Sequence, residues 1–167
     1  VCTGIFKLAT DEAALAAVLG HEMIHVLAGH MNQRITRDLI ASLPISAILA
    51  GTAANPEDLD PKVTIPVMAA LGLGVFEGVD QPFSRKLESE ADDQGMLLAA
   101  SAGYDPEKAL IFWINLDEHP DAEFYGAHPG SDQRIADLHD RLDAFRVAYD
   151  RADSKHPAAL LAAVATR

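Results

Sequence analysis

The chain has 167 residues, 49% hydrophobic and 23% charged, which suits one soluble globular domain with a sizeable core and excludes a disordered tail. Thirteen Lys and Arg oppose 25 Asp and Glu, a net charge of −12 that disfavours generic binding to phosphate backbones; no nucleic-acid partner is expected. A single cysteine, Cys2, excludes an internal disulfide framework and a cysteine-built zinc site, so any metal must be held by the seven histidines and by carboxylates.

Val1-Cys2-Thr3-Gly4-Ile5-Phe6 reads as the end of a β-strand entering a turn, without the charged and apolar regions of a signal peptide. The expectation is one domain over 1–167, truncated on its N-terminal side. A helix is predicted from about Thr10, as N-cap, to about Arg34, with Asp11 and Glu12 where the helix dipole favours negative charge. Its apolar residues, among them Leu15, Val18, Leu19, Ile24 and Val26, are too dense for a one-stripe surface helix, so it should be central and largely buried. A buried helix that carries His21, Glu22, His25 and His30 requires partners for them.

Two apolar runs, 39–54 and 63–76, flank the polar stretch 55–62. Neither reaches the roughly 20 residues that span a bilayer, and each holds Pro or Gly. Short irregular packing helices are one reading; a lid or membrane-proximal insertion over 39–82 is the other. A second strong helix should follow Pro82, capped by Ser84 and ending near Ala102, with Gly103 at the C′ position. Asp105 and Pro106 then cap and open a third, to about Leu116. Beyond a loop over 119–131, a fourth helix is predicted from about Asp132 to about Arg151, and a short last one after Pro157. The fold class is mainly α, a helical bundle with little β.

His21-Glu22-Met23-Ile24-His25 is the string with chemistry in it. Residues four apart stack on one helix face, so two imidazoles can chelate one ion, and the Glu beside the first stands by the attacking water as general base. His30 lies about 180° round the helix from His21. The Gly and His of a metzincin extension are replaced by Ala28 and Met31, so His30 is assigned a supporting role. A third ligand is sought on the second helix, where Glu88 and Asp92 share a face and Glu90 points about 200° away from Glu88. One of these carboxylates can take the metal while the other accepts a hydrogen bond from a ligand imidazole and fixes its tautomer. The competing reading for the pair is a solvated acidic face, and for the histidines ordinary core packing. No Ser or Cys stands in a nucleophilic arrangement, and Cys2 has no partner that would activate it.

Gly20-His21-Glu22-Met23-Ile24-His25-Val26 with His30, then Phe83-Ser84-Arg85 with Glu88-Ser89-Glu90-Ala91-Asp92 and Gly95, then Ala102-Gly103-Tyr104-Asp105-Pro106, then His128-Pro129 with Arg134-Ile135, occur in order. Together they resemble the motifs of peptidase family M48, zinc metallopeptidases that include the CAAX prenyl endopeptidases. The resemblance implies a zincin-like catalytic domain that holds one Zn2+ through His21, His25 and Glu88, with Glu22 as catalytic carboxylate and Asp92 supporting a ligand. It also implies that His128 lies near the metal, as oxyanion stabiliser or as a fourth ligand in a latent state, and that Arg134 anchors the site. The family's substrate-binding edge strand would lie largely before residue 1.

The implied activity is peptide-bond hydrolysis by metal-activated water, on polypeptides such as misfolded envelope proteins. The implied location is the bacterial periplasm or cell envelope, with peripheral membrane contact through 39–82. The competing function is a latent or inactive zinc-bound, chaperone-like domain that holds client proteins. Oligomeric state is not legible. His119, His139 and His156 belong to no motif and are expected on the surface.

Overall fold

A computed structural model describes residues 5–6, 8–54, 65–67, 69, 81–119, 128 and 132–156. In chain order its helices are α1 (Glu12–Leu27), α2 (His30–Ala54), α3 (Gln81–Ser101), α4 (Pro106–Asp117), α5 (Asp132–Asp140) and α6 (Leu142–Arg151). Among the described residues there is no sheet strand, so the mainly α class stands. The expected strand end at residues 1–4 and the helix after Pro157 lie outside the described residues. The chain forms two compact units, Val1–Ala28 with Leu87–Arg167, and Gly29–Lys86.

The first predicted helix starts and stops elsewhere. Asp11, not Thr10, is the N-cap: its backbone is extended and its Oδ1 accepts the Ala14 amide at 2.8 Å. That bond satisfies one of the donors a helix start leaves unpaired. α1 ends at Leu27, seven residues before the predicted Arg34. Ala28 N–H closes the last turn on Ile24 O at 2.8 Å, and Gly29 then adopts φ +66°. Among the described residues nothing lies within 4 Å of a Cβ built on Gly29, and its φ of +66° is the left-handed backbone that favours glycine.

His30 through Arg34 therefore open α2, which continues through Pro44 to Ala54 where short irregular helices are the simpler expectation. Residues 65–67 and 69 are helical as well, while most of 55–80 lies outside the described residues and with it most of the lid or membrane reading of 39–82. No helix among the described residues is long and apolar enough to cross a membrane. α3 begins at Gln81, so Ser84 is a buried residue inside the first turn and not the cap.

Later boundaries follow local chemistry closely. α3 ends on Gly103 at φ +93°, and Asp105 caps α4 by accepting the Glu107 amide at 2.9 Å, with Pro106 opening the helix. The predicted fourth helix is two, interrupted at Arg141, where the backbone relaxes to φ −93°, ψ −1°. No Gly or Pro signals that interruption.

The larger unit packs around small residues of α1 and α3 and large ones of α4 and α6. Ala14, Ala17 and Val18 of α1, Met96 and Ala100 of α3, Phe112 and Leu116 of α4 and Phe145 of α6 belong to one buried cluster. α1 and α3 approach most closely at two glycines. A Cβ on Gly20 would sit 2.5 Å from the Gly95 carbonyl oxygen, and one on Gly95 would sit 2.6 Å from the His21 amide nitrogen. That contact sets the distance between His21 and the carboxylates one and two turns earlier on α3.

Candidate metal centre

α1 presents His21 and His25 one turn apart, and α3 presents Glu88 and Asp92 one turn apart, so two helical repeats supply two pairs that face each other. Nε2 of His21 and Nε2 of His25 lie 3.0 Å apart. Glu88 brings Oε2 to 3.4 Å from His21 Nε2 and Oε1 to 3.5 Å from His25 Nε2. His128 completes the group, with Nδ1 at 3.1 Å from both His21 Nε2 and Glu88 Oε2.

One ligand atom from each of the four residues falls within 4.8 Å of every other. Bonds of about 2.0–2.2 Å to a tetrahedral ion separate neighbouring ligand atoms by about 3.3–3.6 Å. The residues present therefore fit a small divalent cation in both donor type and spacing. Glu22 is half-buried beside them, with Oε1 at 3.4 Å from His128 Nε2, so His128 stands between the converging atoms and Glu22.

Behind the four lies a second set of contacts. Asp92, 2% exposed, places Oδ1 at 2.9 Å from His21 Nδ1, where it accepts a hydrogen bond from Nδ1–H. With Nδ1–H donated there, Nε2 keeps its lone pair for the converging side. Arg134 of α5 donates through Nη2 to Asp92 Oδ1 at 2.7 Å and through Nε to Oδ2. Its Nη2 is 3.6 Å from Glu88 Oε2, so one guanidinium counters two buried carboxylates. A cavity of about 370 Å³ adjoins this pair, lined by Ser89, Asp92, Asp93, Arg134, Asp137 and Arg141 among others; none of the four converging residues lines it.

The electrostatics run in two directions. Burial by itself would depress the His21 imidazole, but its hydrogen bonds to Asp92 and Glu88 prevail and raise it above 6.5. Burial would likewise raise Glu88, yet hydrogen bonds from His128, His21 and His25 hold it well below the usual carboxylate range. The two shifts are the two sides of one attraction: the carboxylates favour a protonated His21, and the imidazoles around Glu88 favour its ionised form.

The candidate site residues named from the sequence all lie among the described residues. His21, Glu22, His25, Glu88, Asp92, His128 and Arg134 are assembled at one site, with Arg134 against Asp92 and not among the converging atoms. His30 is buried at the start of α2 and is not a member of the group. His119 and His139 are exposed as expected. His156 departs from that expectation: half-buried, it stacks on Tyr104 at 4.6 Å and donates its amide to Gly103 O at 2.9 Å. Trp113 is the neighbour that no motif indicates, its ring 5.4 Å from that of His21.

Residues 1–142 match peptidase family M48. Over 161 residues the chain is 31% identical to the mitochondrial metalloendopeptidase OMA1 of Schizosaccharomyces pombe, an alignment covering 93% of this chain and 44% of the relative. Against the human mitochondrial metalloendopeptidase OMA1 it is 31% identical over 150 residues, 85% of this chain and 28% of the relative. With the beta-barrel assembly-enhancing protease of Escherichia coli it shares 25% identity over 149 residues, 86% of this chain and 30% of the relative. The chain thus spans less than half the length of these curated relatives. Among solved structures there is no significant match. On the family match, this chain belongs to peptidase family M48.

Proposed function

We propose that this chain is the catalytic domain of a zinc-dependent endopeptidase, with His21, His25 and Glu88 as the metal ligands and Glu22 as the catalytic carboxylate. The observation that carries the reading is the convergence of those three side chains with His128 at ligand-to-ligand spacing, beside a half-buried glutamate. Zinc, when bound, polarises the scissile carbonyl and lowers the pKa of water to as little as about 7.

The rest is done by the chain's own groups. Glu22 accepts the proton of the attacking water and delivers it to the departing amine. Asp92 holds His21 in the tautomer whose Nε2 is turned to the converging side, and Arg134 orients Asp92 through two hydrogen bonds, which makes both positioning residues. His128 has Nδ1 among the converging atoms and Nε2 toward Glu22, and it would offer a bound zinc a fourth ligand in competition with water. Three protein ligands with a displaceable fourth describe an open catalytic site; structural zinc is closed by four fixed ones.

Glu22→Gln tests the mechanism, because it keeps the ligands and removes the base. Cleavage of a denatured polypeptide should fall by roughly 10²–10⁴-fold with metal content unchanged; cleavage that survives would sink the reading. In His128→Ala, metal affinity should drop while the turnover of metal-saturated protein holds or rises. A fall in turnover at full metal loading would instead make His128 an oxyanion donor.

The second reading, a latent zinc-bound domain that holds clients, draws on the same His128 placement. Client capture by Glu22→Gln protein, in the absence of any cleavage by the wild type, would favour it. For the compartment, the relatives point two ways: one is named for beta-barrel assembly in a bacterium, and others are mitochondrial. Envelope proteins as substrates follow from the first, and fractionation of the native host decides between the two.

A further inference from the structure

Trp113 is the chain's one tryptophan. It sits on α4 at 4% exposure, and its indole ring touches two members of the site at once. The ring centroid is 5.4 Å from that of His21, with the planes tilted by 54°. On the same indole, Arg134 Cζ stands 5.3 Å from the centroid, in reach of a cation–π contact. Arg134 is bonded to Asp92, and Asp92 to His21 Nδ1. The contacts therefore close a ring: His21, Asp92, Arg134, Trp113 and back to His21.

A closed ring constrains more than an open chain does. One hydrogen bond at Nδ1 sets where that nitrogen sits but leaves the imidazole free to rock about the bond. The guanidinium can likewise slide along the carboxylate unless something backs it. A rigid indole packed against both removes those freedoms together, and Phe112, edge-on at 5.3 Å, holds the indole in turn. We propose that Trp113 is a positioning residue of the metal centre: one aromatic wall that fixes the His21 ring and the Arg134 guanidinium, and through them the direction of His21 Nε2. The inference rests on the metal-site reading above. It differs from plain core filling, the role of Ala109 and Leu116 on the same helix, because it assigns Trp113 an effect on metal binding.

Cobalt(II), whose visible absorption reports ligand geometry, is the probe, added to the full chain in its wild-type, Trp113→Phe and Trp113→Leu forms. Wild-type protein should bind one cobalt, with quenching of the single tryptophan's emission that saturates at one equivalent and is absent in His21→Ala. Trp113→Leu should bind cobalt about 10–100-fold more weakly, the range seen when support behind a ligand is lost, with an altered visible spectrum at saturation. Trp113→Phe, which keeps an aromatic face, should recover most of both. If Trp113→Leu does not fold, Trp113→Met, which also removes the aromatic face, takes its place against the same expectation and the same overturning result.

Equal affinity and an unchanged spectrum in a folded Leu variant would overturn the proposal, as would wild-type emission that ignores a stoichiometrically bound cobalt. Wild-type protein that binds no metal at all would instead overturn the reading of the site itself.

Discussion

Asp92 is a buried carboxylate with both oxygens engaged, one shared between His21 Nδ1 and Arg134 Nη2 and the other taken by Arg134 Nε. Asp92→Asn takes from a buried guanidinium the nearer of its two carboxylates and leaves Glu88 at 3.6 Å, so the loss should stay below the roughly 3–5 kcal/mol of a fully broken buried pair. Chemical denaturation should show that loss, and metal affinity should fall about 10–100-fold because the His21 tautomer is no longer enforced. The spacing of Glu88 and Asp92 was legible in the sequence, while the choice of Glu88 as ligand came only with the family resemblance. Packing sets the two apart in the way that choice requires, since Glu88 reaches His25 and His128 whereas Asp92 lies on the Nδ1 side of His21. The same residues set a pH profile for the metal-free protein. His21 is raised above 6.5, so its stabilisation is complete below 6.5 and is lost as pH rises through the folded value. Glu88 is lowered from 4.5, so its contribution is complete above 4.5 and is lost as pH falls. Chelated protein should therefore show its highest melting temperature between about pH 4.5 and 6.5. Added metal should raise it more at pH 8 than at pH 5, where protons compete for His21.

Between helices, the decisive feature is the contact of Gly20 with Gly95. Ala at either position meets backbone atoms at 2.5 or 2.6 Å, which no side-chain rotation relieves, so α1 and α3 must separate. Gly20→Ala should cost about 1–3 kcal/mol, and it should weaken metal binding because Glu88 and Asp92 are drawn away from His21. Two other glycines make a control for backbone conformation alone. Gly29→Ala strains a φ of +66° with open space around it and should cost about 1 kcal/mol. Gly103→Ala adds to φ +93° a Cβ 2.0 Å from Ser154 O and should cost distinctly more, which urea titration of the two variants would compare. Helix ends set by side-chain chemistry, such as Asp105 with Pro106, were readable because the cap and the helix are local in sequence. The stop at Gly29 and the interruption at Arg141 were not: a lone Gly is tolerated within a helical pattern, and Arg141 carries no breaking residue at all.

For the molecule as a whole, a bound metal joins two helices and a loop histidine within the unit Val1–Ala28 with Leu87–Arg167. Metal at about 1,000 times its Kd stabilises by about 4 kcal/mol, which for a chain of this size corresponds to a melting shift of roughly 8–16 °C. Chelation should produce that drop in calorimetry, and a Glu88→Ala, His25→Ala double variant should show none on treatment with the same chelator. The acidic balance of the chain takes on a local meaning here, since Glu22, Glu88 and Asp92 belong to the site and not to the solvated surface. By itself the sequence determined the mainly helical class, the paired His21 and His25, the paired Glu88 and Asp92, and the family they resemble. All of these depend on a helix repeat of a few residues or on motifs read in order. The resemblance brought His128 and Arg134 to the site, but only the tertiary structure set His128 Nδ1 at 3.1 Å from both His21 Nε2 and Glu88 Oε2, and Arg134 on Asp92 and not among the converging atoms. Tertiary structure alone placed Trp113 against His21 and Arg134. Those contacts arise where separate helices and a loop are brought together by burial and by a glycine crossing, and no local repeat encodes which distant residue arrives there.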